Sequence, residues 1–289
     1  MNRVRKQIHY SRAEKEQLTG YHIGVGVLDS GIFPHEDLKD QIRAFRDFTN
    51  KYQLPYDETG HGTHVCGILA GNGRVLHGKY KGMAPCCDLY VGKILNKRGE
   101  GSLKTLLRGL QWLLSIAESC NIRVINISVS SIASASPEEQ RKLYELFQYA
   151  YENNILIVTA AGNFGPGDNT ISRLGDTPYV ICVGCHDGDL RCQDCSGRGP
   201  GENVWKKPDV VAPGTQIISC QAAYGKYVAR SGTSMATPIV SGLLALAWEK
   251  YPYLNAMQLK RKLILSATDL GESYLMQGAG MVDVEKMLS

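Results

Sequence analysis

Tyr21–Gly31 reads YHIGVGVLDSG, an apolar run that ends on a carboxylate followed by a tight Ser-Gly step. Its valines and isoleucine are dense enough to be covered on both faces, which predicts a strand inside a parallel sheet with helices on either side. Four further runs share this character: CDLYVGKIL (87–95), RVINISVS (123–130), NILIVTAAGN (154–163) and YVICVGC (179–185). Helical candidates lie between them: HVCGILAG (64–71), LKTLLRGLQWLLSIAES (103–119) and PEEQRKLYELFQYAYENN (137–154). The last has Ser136 as N-cap and Pro137 at its first position. This alternation predicts an α/β fold with a mostly parallel central sheet flanked by helices, whose ligands sit beyond the carboxyl ends of the strands. Asp29, at the end of the first run, and Asn163, at the end of the fourth, fall there, as does His61 at the opening of the first helix.

Composition narrows the function classes. Hydrophobic residues make up 43% and charged residues 21% of the 289, as in an average soluble globular chain. Lys and Arg exceed Asp and Glu only by 32 to 28, and they are scattered, which gives no case for a nucleic-acid partner. No window approaches the roughly 18 apolar residues of a membrane span. The opening segment MNRVRKQIHYSRAEKEQLTG has basic residues without an apolar stretch behind them and does not read as a secretory signal. With nine dispersed cysteines, an odd number, the expectation is a cytoplasmic protein with free thiols. Residues 1–18 are expected to be an N-terminal extension or short helix, and residues 19–289 a single domain.

The stretch SGTSMATP (231–238) leads directly into the apolar VSGLLALAW (240–248). Ser234 then stands near a helix N-terminus, where unpaired backbone N–H groups stabilise negative charge, and Gly232 permits the tight turn before it. Taken alone, Ser231, Thr233 and Ser234 read as helix caps. Their company changes the reading: Asp29 in LDSG, His61 in GHGTHV, Asn163 in AAGN and Ser234 occur in that order. The motifs resemble those of the subtilisin-like serine peptidases (family S8), most closely the intracellular subtilisins of the AprX type. PHEDL (34–38), KYKGMAP (79–85), VINIS (124–128), SGRGP (196–200), KPDVVAPG (207–214) and GAGMVDVE (278–285) extend the likeness from about Thr19 to Leu288.

The resemblance implies the three-layer subtilisin-like fold and a serine endopeptidase working through an acyl-enzyme, with no cofactor needed for catalysis and a peptide or protein as substrate. Asp29, His61 and Ser234 would form the catalytic triad, and Asn163 with the Ser234 N–H the oxyanion hole. Ser128, Val129, Ser130 and Ser131 would pair with an extended peptide, with Ala160, Ala161 and Gly162 also lining the substrate cleft. Ser130 and Ser131 stand where the family usually has Gly-Gly; either they narrow the cleft, altering the preference for large apolar side chains, or they point away. A catalytically latent relative, acting as a peptide-binding scaffold or a dedicated processing partner, is the alternative.

Three groups of residues bear on metal binding. His61 and His64 share a helical face, but no HExxH motif or third ligand accompanies them. Cys182, Cys185, Cys192 and Cys195 form two CxxC pairs, a spacing that builds zinc knuckles; the same segment also reads as a buried strand and turn, and that reading is preferred. The resemblance places Asp37 at a position that contributes to a structural calcium site in many relatives. The accompanying loop GNGRVLHGKYKG (71–82) departs from theirs, so no other calcium ligand is assigned.

Overall fold

The computed structural model describes residues 1–50, 52–129, 136–203 and 205–289. Within it, Val25 and Val27 turn to one side of the first strand and Leu28 to the other, each fully buried. That two-sided burial organises the molecule. Strands β1 (Gly24–Asp29), β2 (Ile42–Asp47), β3 (Asp88–Lys93), β4 (Ile122–Ile127), β5 (Leu156–Ala160), β6 (Val180–His186) and β7 (Val210–Pro213) form one sheet. Its order is β2-β3-β1-β4-β5-β6-β7, and every pairing is parallel. A separate antiparallel pair, β8 (Ile217–Cys220) and β9 (Tyr227–Arg230), lies outside it.

At the N-terminus are two short helices, α1 (Asn2–Gln7) and α2 (Ser11–Lys15). The remainder are α3 (His61–Ala70), α4 (Leu103–Ile116), α5 (Pro137–Glu152), α6 (Thr233–Lys250), α7 (Ala256–Ser266), α8 (Tyr274–Gln277) and α9 (Val284–Met287). One core layer joins Val25, Val27, Val124 and Val158 to α3 and α6; the other joins Leu28, Ile125, Ile127 and Ile157 to α4 and α5. The result is three layers, helix–sheet–helix. Every residue from Thr233 to Trp248 of α6 is buried, which fits a helix apolar nearly all round. Helix α5 begins as its sequence predicts: the Ser136 hydroxyl accepts from the Glu139 N–H, the Glu139 carboxylate answers at the Ser136 N–H, and Pro137 follows the cap.

Residues 1–18 pack against this frame. Met1, Val4, Ile8, Tyr10 and Ala13 are buried in the same core layer as α3 and α6, and the Val284 N–H donates to the Ile8 carbonyl at 2.8 Å. The Tyr10 hydroxyl donates to the Met83 carbonyl. Among the described residues no helix is long and apolar enough to cross a membrane. All nine cysteines are unpaired thiols.

Candidate active site

The parallel sheet delivers the ends of its central strands to one edge, where α3 and α6 begin. Asp29 closes β1 and is fully buried; the Ser30 N–H donates to its Oδ1 at 2.7 Å. His61 is the first residue of α3, and its Nδ1 lies 2.7 Å from the same Asp29 oxygen. A carboxylate there makes Nδ1 the protonated nitrogen and leaves Nε2 as the base. Burial pushes the His61 pKa down, but the charge of Asp29 and its hydrogen bond more than offset this, so the net shift is upward.

Ser234 is the second residue of α6, reached through Gly232 at φ 136°, a conformation that glycine adopts without strain. Its backbone N–H belongs to the first turn, where no intrahelical acceptor exists. The Ser234 hydroxyl donates to the Ser128 carbonyl at 2.7 Å. His61, Ser128, Val129 and Ser234 nonetheless line one cavity of about 430 Å³, so a rotation about χ1 of Ser234 redirects the hydroxyl within the shared space. Asn163 sits three residues past β5. Its Oδ1 accepts from both the backbone N–H and the hydroxyl of Thr233, each at 3.1 Å, which fixes the amide plane and leaves Nδ2 as the outward donor.

Ala160 and Ala161 are fully buried, and Gly162 is buried too. The Ala160 carbonyl accepts from the Ser172 hydroxyl, that of Ala161 from the Ser172 N–H, and that of Gly162 from the Gly197 N–H. These three carbonyls hold the loop that carries Asn163. Ser130 and Ser131 lie outside the described residues.

Sequence reasoning missed the residues that brace the site. Buried Asp57 accepts from the Ser30 hydroxyl (2.8 Å), the Gly60 N–H (2.9 Å), the Thr63 N–H (2.9 Å) and the Thr63 hydroxyl (2.6 Å). It therefore clamps the start of α3 to the end of β1, on both sides of His61. Lys93, fully buried beside Asp29 in the sheet register, donates to the Ser30 and Leu95 carbonyls at 2.7 and 2.8 Å and pairs with Glu58 at 3.2 Å. The Asn126 amide donates to the Ser128 hydroxyl and accepts from Ser241, each at 2.9 Å, which holds Ser128 against α6. A short-range signal existed only for Asp57, an Asx residue three before the Gly60–His61 step.

A carboxylate-bound histidine, a serine at a helix N-terminus and an anchored asparagine amide thus converge on one edge of a seven-stranded parallel sheet. The model of the subtilase family matches residues 20–282. The chain belongs to the subtilase family. It is 35% identical to the serine protease AprX of Bacillus subtilis strain 168, across 93% of this chain and 67% of that protein. To an intracellular serine protease of Paenibacillus polymyxa it is 34% identical, across 92% and 80% respectively. Among solved structures, the S41 psychrophilic protease superposes with a TM-score of 0.82 at 29% identity, covering 92% of both chains. This subtilase is accordingly a serine protease, with proteins or peptides as substrates.

Subtilases commonly bind calcium, which makes the surroundings of Asp37 informative. Its Oδ1 accepts from the Val75 N–H at 2.9 Å and its Oδ2 from the Tyr227 hydroxyl at 2.5 Å. The other ligand-type groups near it are His35 and Cys220, all three buried. Calcium requires six to eight oxygen ligands. A carboxylate already occupied by two protein donors, beside an imidazole and a thiol, does not fit that ion, so the calcium expectation fails at this position.

The CxxC pairs do not share one side of their strand. Cys182 and Cys185 are three apart in β6 and enter different buried clusters, Cys182 with Ala161 and Ile171, Cys185 and Cys192 with the α6 layer. Cys195 is exposed. Strand alternation splits the pair between the two faces, so the four sulfurs do not gather round one ion. His64 is also engaged: its Nε2–H donates to the Ile217 and Val228 carbonyls, both at 3.0 Å, tying α3 to β8 and β9.

Proposed function

We propose that this subtilase cleaves peptide bonds by acyl transfer through Ser234, His61 and Asp29. The Ser234 oxygen attacks the scissile carbonyl as His61 Nε2 removes its proton, and the imidazolium then delivers that proton to the leaving amine. Water repeats the sequence on the acyl-enzyme. Asp29 remains ionised, orients the ring through Nδ1 and stabilises the imidazolium. Asn163 Nδ2 and the Ser234 backbone N–H donate to the oxyanion, helped by the positive end of α6. The observation that carries this reading is the 2.7 Å contact of His61 with a fully buried carboxylate, at the wall of a cavity that Ser234 shares.

The test is Asn163→Ala. Loss of an oxyanion donor acts on the transition state, so kcat is expected to fall about 100-fold to 1,000-fold, the scale known for such a donor in subtilisin, with KM nearly unchanged. An equal loss expressed in KM would remove Asn163 from the oxyanion hole. We further propose residues 19–289 as the catalytic unit, with residues 1–18 as its cap. A cytoplasmic setting is supported by nine unpaired thiols and by the likeness to an intracellular serine protease.

A further inference from the structure

The cavity that His61, Ser128, Val129 and Ser234 share has a second wall made by the tip of the β3–α4 loop, where Lys97 and Arg98 reach it. This loop is built to present them. The Asn96 Oδ1 accepts from the Arg98 N–H at 2.8 Å and from the Glu100 N–H at 3.1 Å, while the Asn96 N–H donates to the Glu100 carbonyl at 2.9 Å. Gly99 closes the turn at φ 77°, a left-handed value that a side chain would oppose. Both cations stand exposed at the apex, and neither has an ion-pair partner among the described residues.

None of the nearby acids pairs with Lys97 or Arg98. Glu58 pairs with buried Lys93 at 3.2 Å, Glu100 accepts from the Asn96 amide at 3.1 Å, and Asp57 and Asp29 are buried in the bracing network. Arg230 adds a third positive charge at the same edge, its Nη2 donating to the Thr59 carbonyl at 3.0 Å. Thr59 itself lines the cavity. The exposed charges that line the cavity itself are thus those of Lys97 and Arg98.

From this we infer that the cleft selects acidic peptides: Lys97 and Arg98 determine specificity by pairing with Asp or Glu side chains of the substrate strand laid against Ser128 and Val129. The inference rests on the proposed catalytic assignment and adds the substrate class. Exposed pairs are individually weak, so the expected discrimination is about threefold to tenfold in kcat/KM for one acidic residue over its amide, and it shrinks with salt.

The experiment is a set of internally quenched peptides of one parent sequence, with Asp, Asn or Lys placed in turn at each of the positions flanking the cleaved bond. Wild type is compared with the double variants Lys97→Gln/Arg98→Gln and Lys97→Glu/Arg98→Glu. The expected result is an Asp over Asn over Lys order in wild type that collapses toward about 0.5 M salt. That order flattens in the glutamine variant and inverts in the glutamate variant. Each ratio is internal to one protein, so a change in overall rate does not imitate it. A wild type that labels with a fluorophosphonate yet cleaves the peptides without charge preference overturns this inference alone. A preference that survives charge reversal also overturns it. A wild type that neither labels nor cleaves overturns it together with the assignment of Ser234.

Discussion

Replacing Asp57 by Ala removes one carboxylate that does not touch the reacting atoms and that holds Gly60 and Thr63, on either side of His61. Two buried backbone N–H groups, of Gly60 and Thr63, lose their acceptor, each now bonded at 2.9 Å. The hydroxyls of Ser30 and Thr63 can rotate to other partners, but an amide N–H cannot. At about 1–3 kcal/mol for each stranded donor, the substitution should cost about 2–6 kcal/mol, a large share of the roughly 5–15 kcal/mol of a typical folded domain. The catalytic effect follows from geometry. The Ser30 hydroxyl, which donates to Asp57, also accepts from the Gly62 N–H at 2.9 Å, so the first turn of α3 loses its alignment on β1. A misplacement near 1 Å costs on the order of 100-fold in rate. Urea unfolding measured in a Ser234→Ala background, which prevents self-digestion, gives the stability change, and kcat/KM of the Asp57 variant with Ser234 intact gives the second. Asp57→Asn should recover the Gly60 acceptor but not that of Thr63, and so fall between. A loss below about 1 kcal/mol with unchanged kcat/KM would refute the view that Asp57 clamps α3.

Three other outcomes are expected. The raised pKa of His61 means that more of it is protonated, and inactive as a base, at a given pH; the acid limb of kcat/KM should lie above the ordinary histidine value of 6.5. Asp29→Asn should move that limb lower, since burial and Arg230 are then opposed only by the charge of Asp57, and a limb that stays in place would remove Asp29 as its cause. His64 is depressed from 6.5 to about 4, chiefly by burial. Between those values the unfolded chain binds a proton that the native state refuses, so stability is full above pH 6.5 and falls on the order of 3 kcal/mol by pH 4. Subtracting the unfolding curve of His64→Gln, which keeps an N–H donor but cannot titrate, should isolate that slope, and parallel curves would contradict it. Because Asp37 is held by Tyr227 and Val75, chelation should leave the unfolding midpoint unchanged while Tyr227→Phe lowers it; a midpoint lowered by chelation and restored by calcium would reverse that reading.

How far the sequence could be read depended on the range of the interactions. Strand β1 with its terminal Asp29, the capped start of α5 and the placing of His61 and Ser234 at helix openings are local patterns, and local patterns were legible. Strand β2 was missed because it lies at the sheet edge and mixes half-buried with exposed positions without alternation, with exposed Arg43 and Arg46 three apart in its run. Strand β7 was hidden by its four-residue length, with Pro208 just before it and Pro213 as its last residue. The Asn126–Ser241 bond that braces Ser128 spans 115 residues, and the occupation of Asp37 by Tyr227 spans 190; no spacing rule reports such pairs. For the cysteines, the CxxC pattern gave the count of ligands but not their direction, and β6 sends Cys182 and Cys185 to opposite faces.

The central claim is that Ser234 is a nucleophile activated by His61 beside an oxyanion hole. Labelling of the purified protein with a fluorophosphonate, in parallel with casein hydrolysis, tests it most directly, since only an activated serine reacts quickly. The account predicts that wild type labels and digests while Ser234→Ala does neither. Equal labelling of the two proteins, or a folded wild type that neither labels nor digests casein, would contradict it.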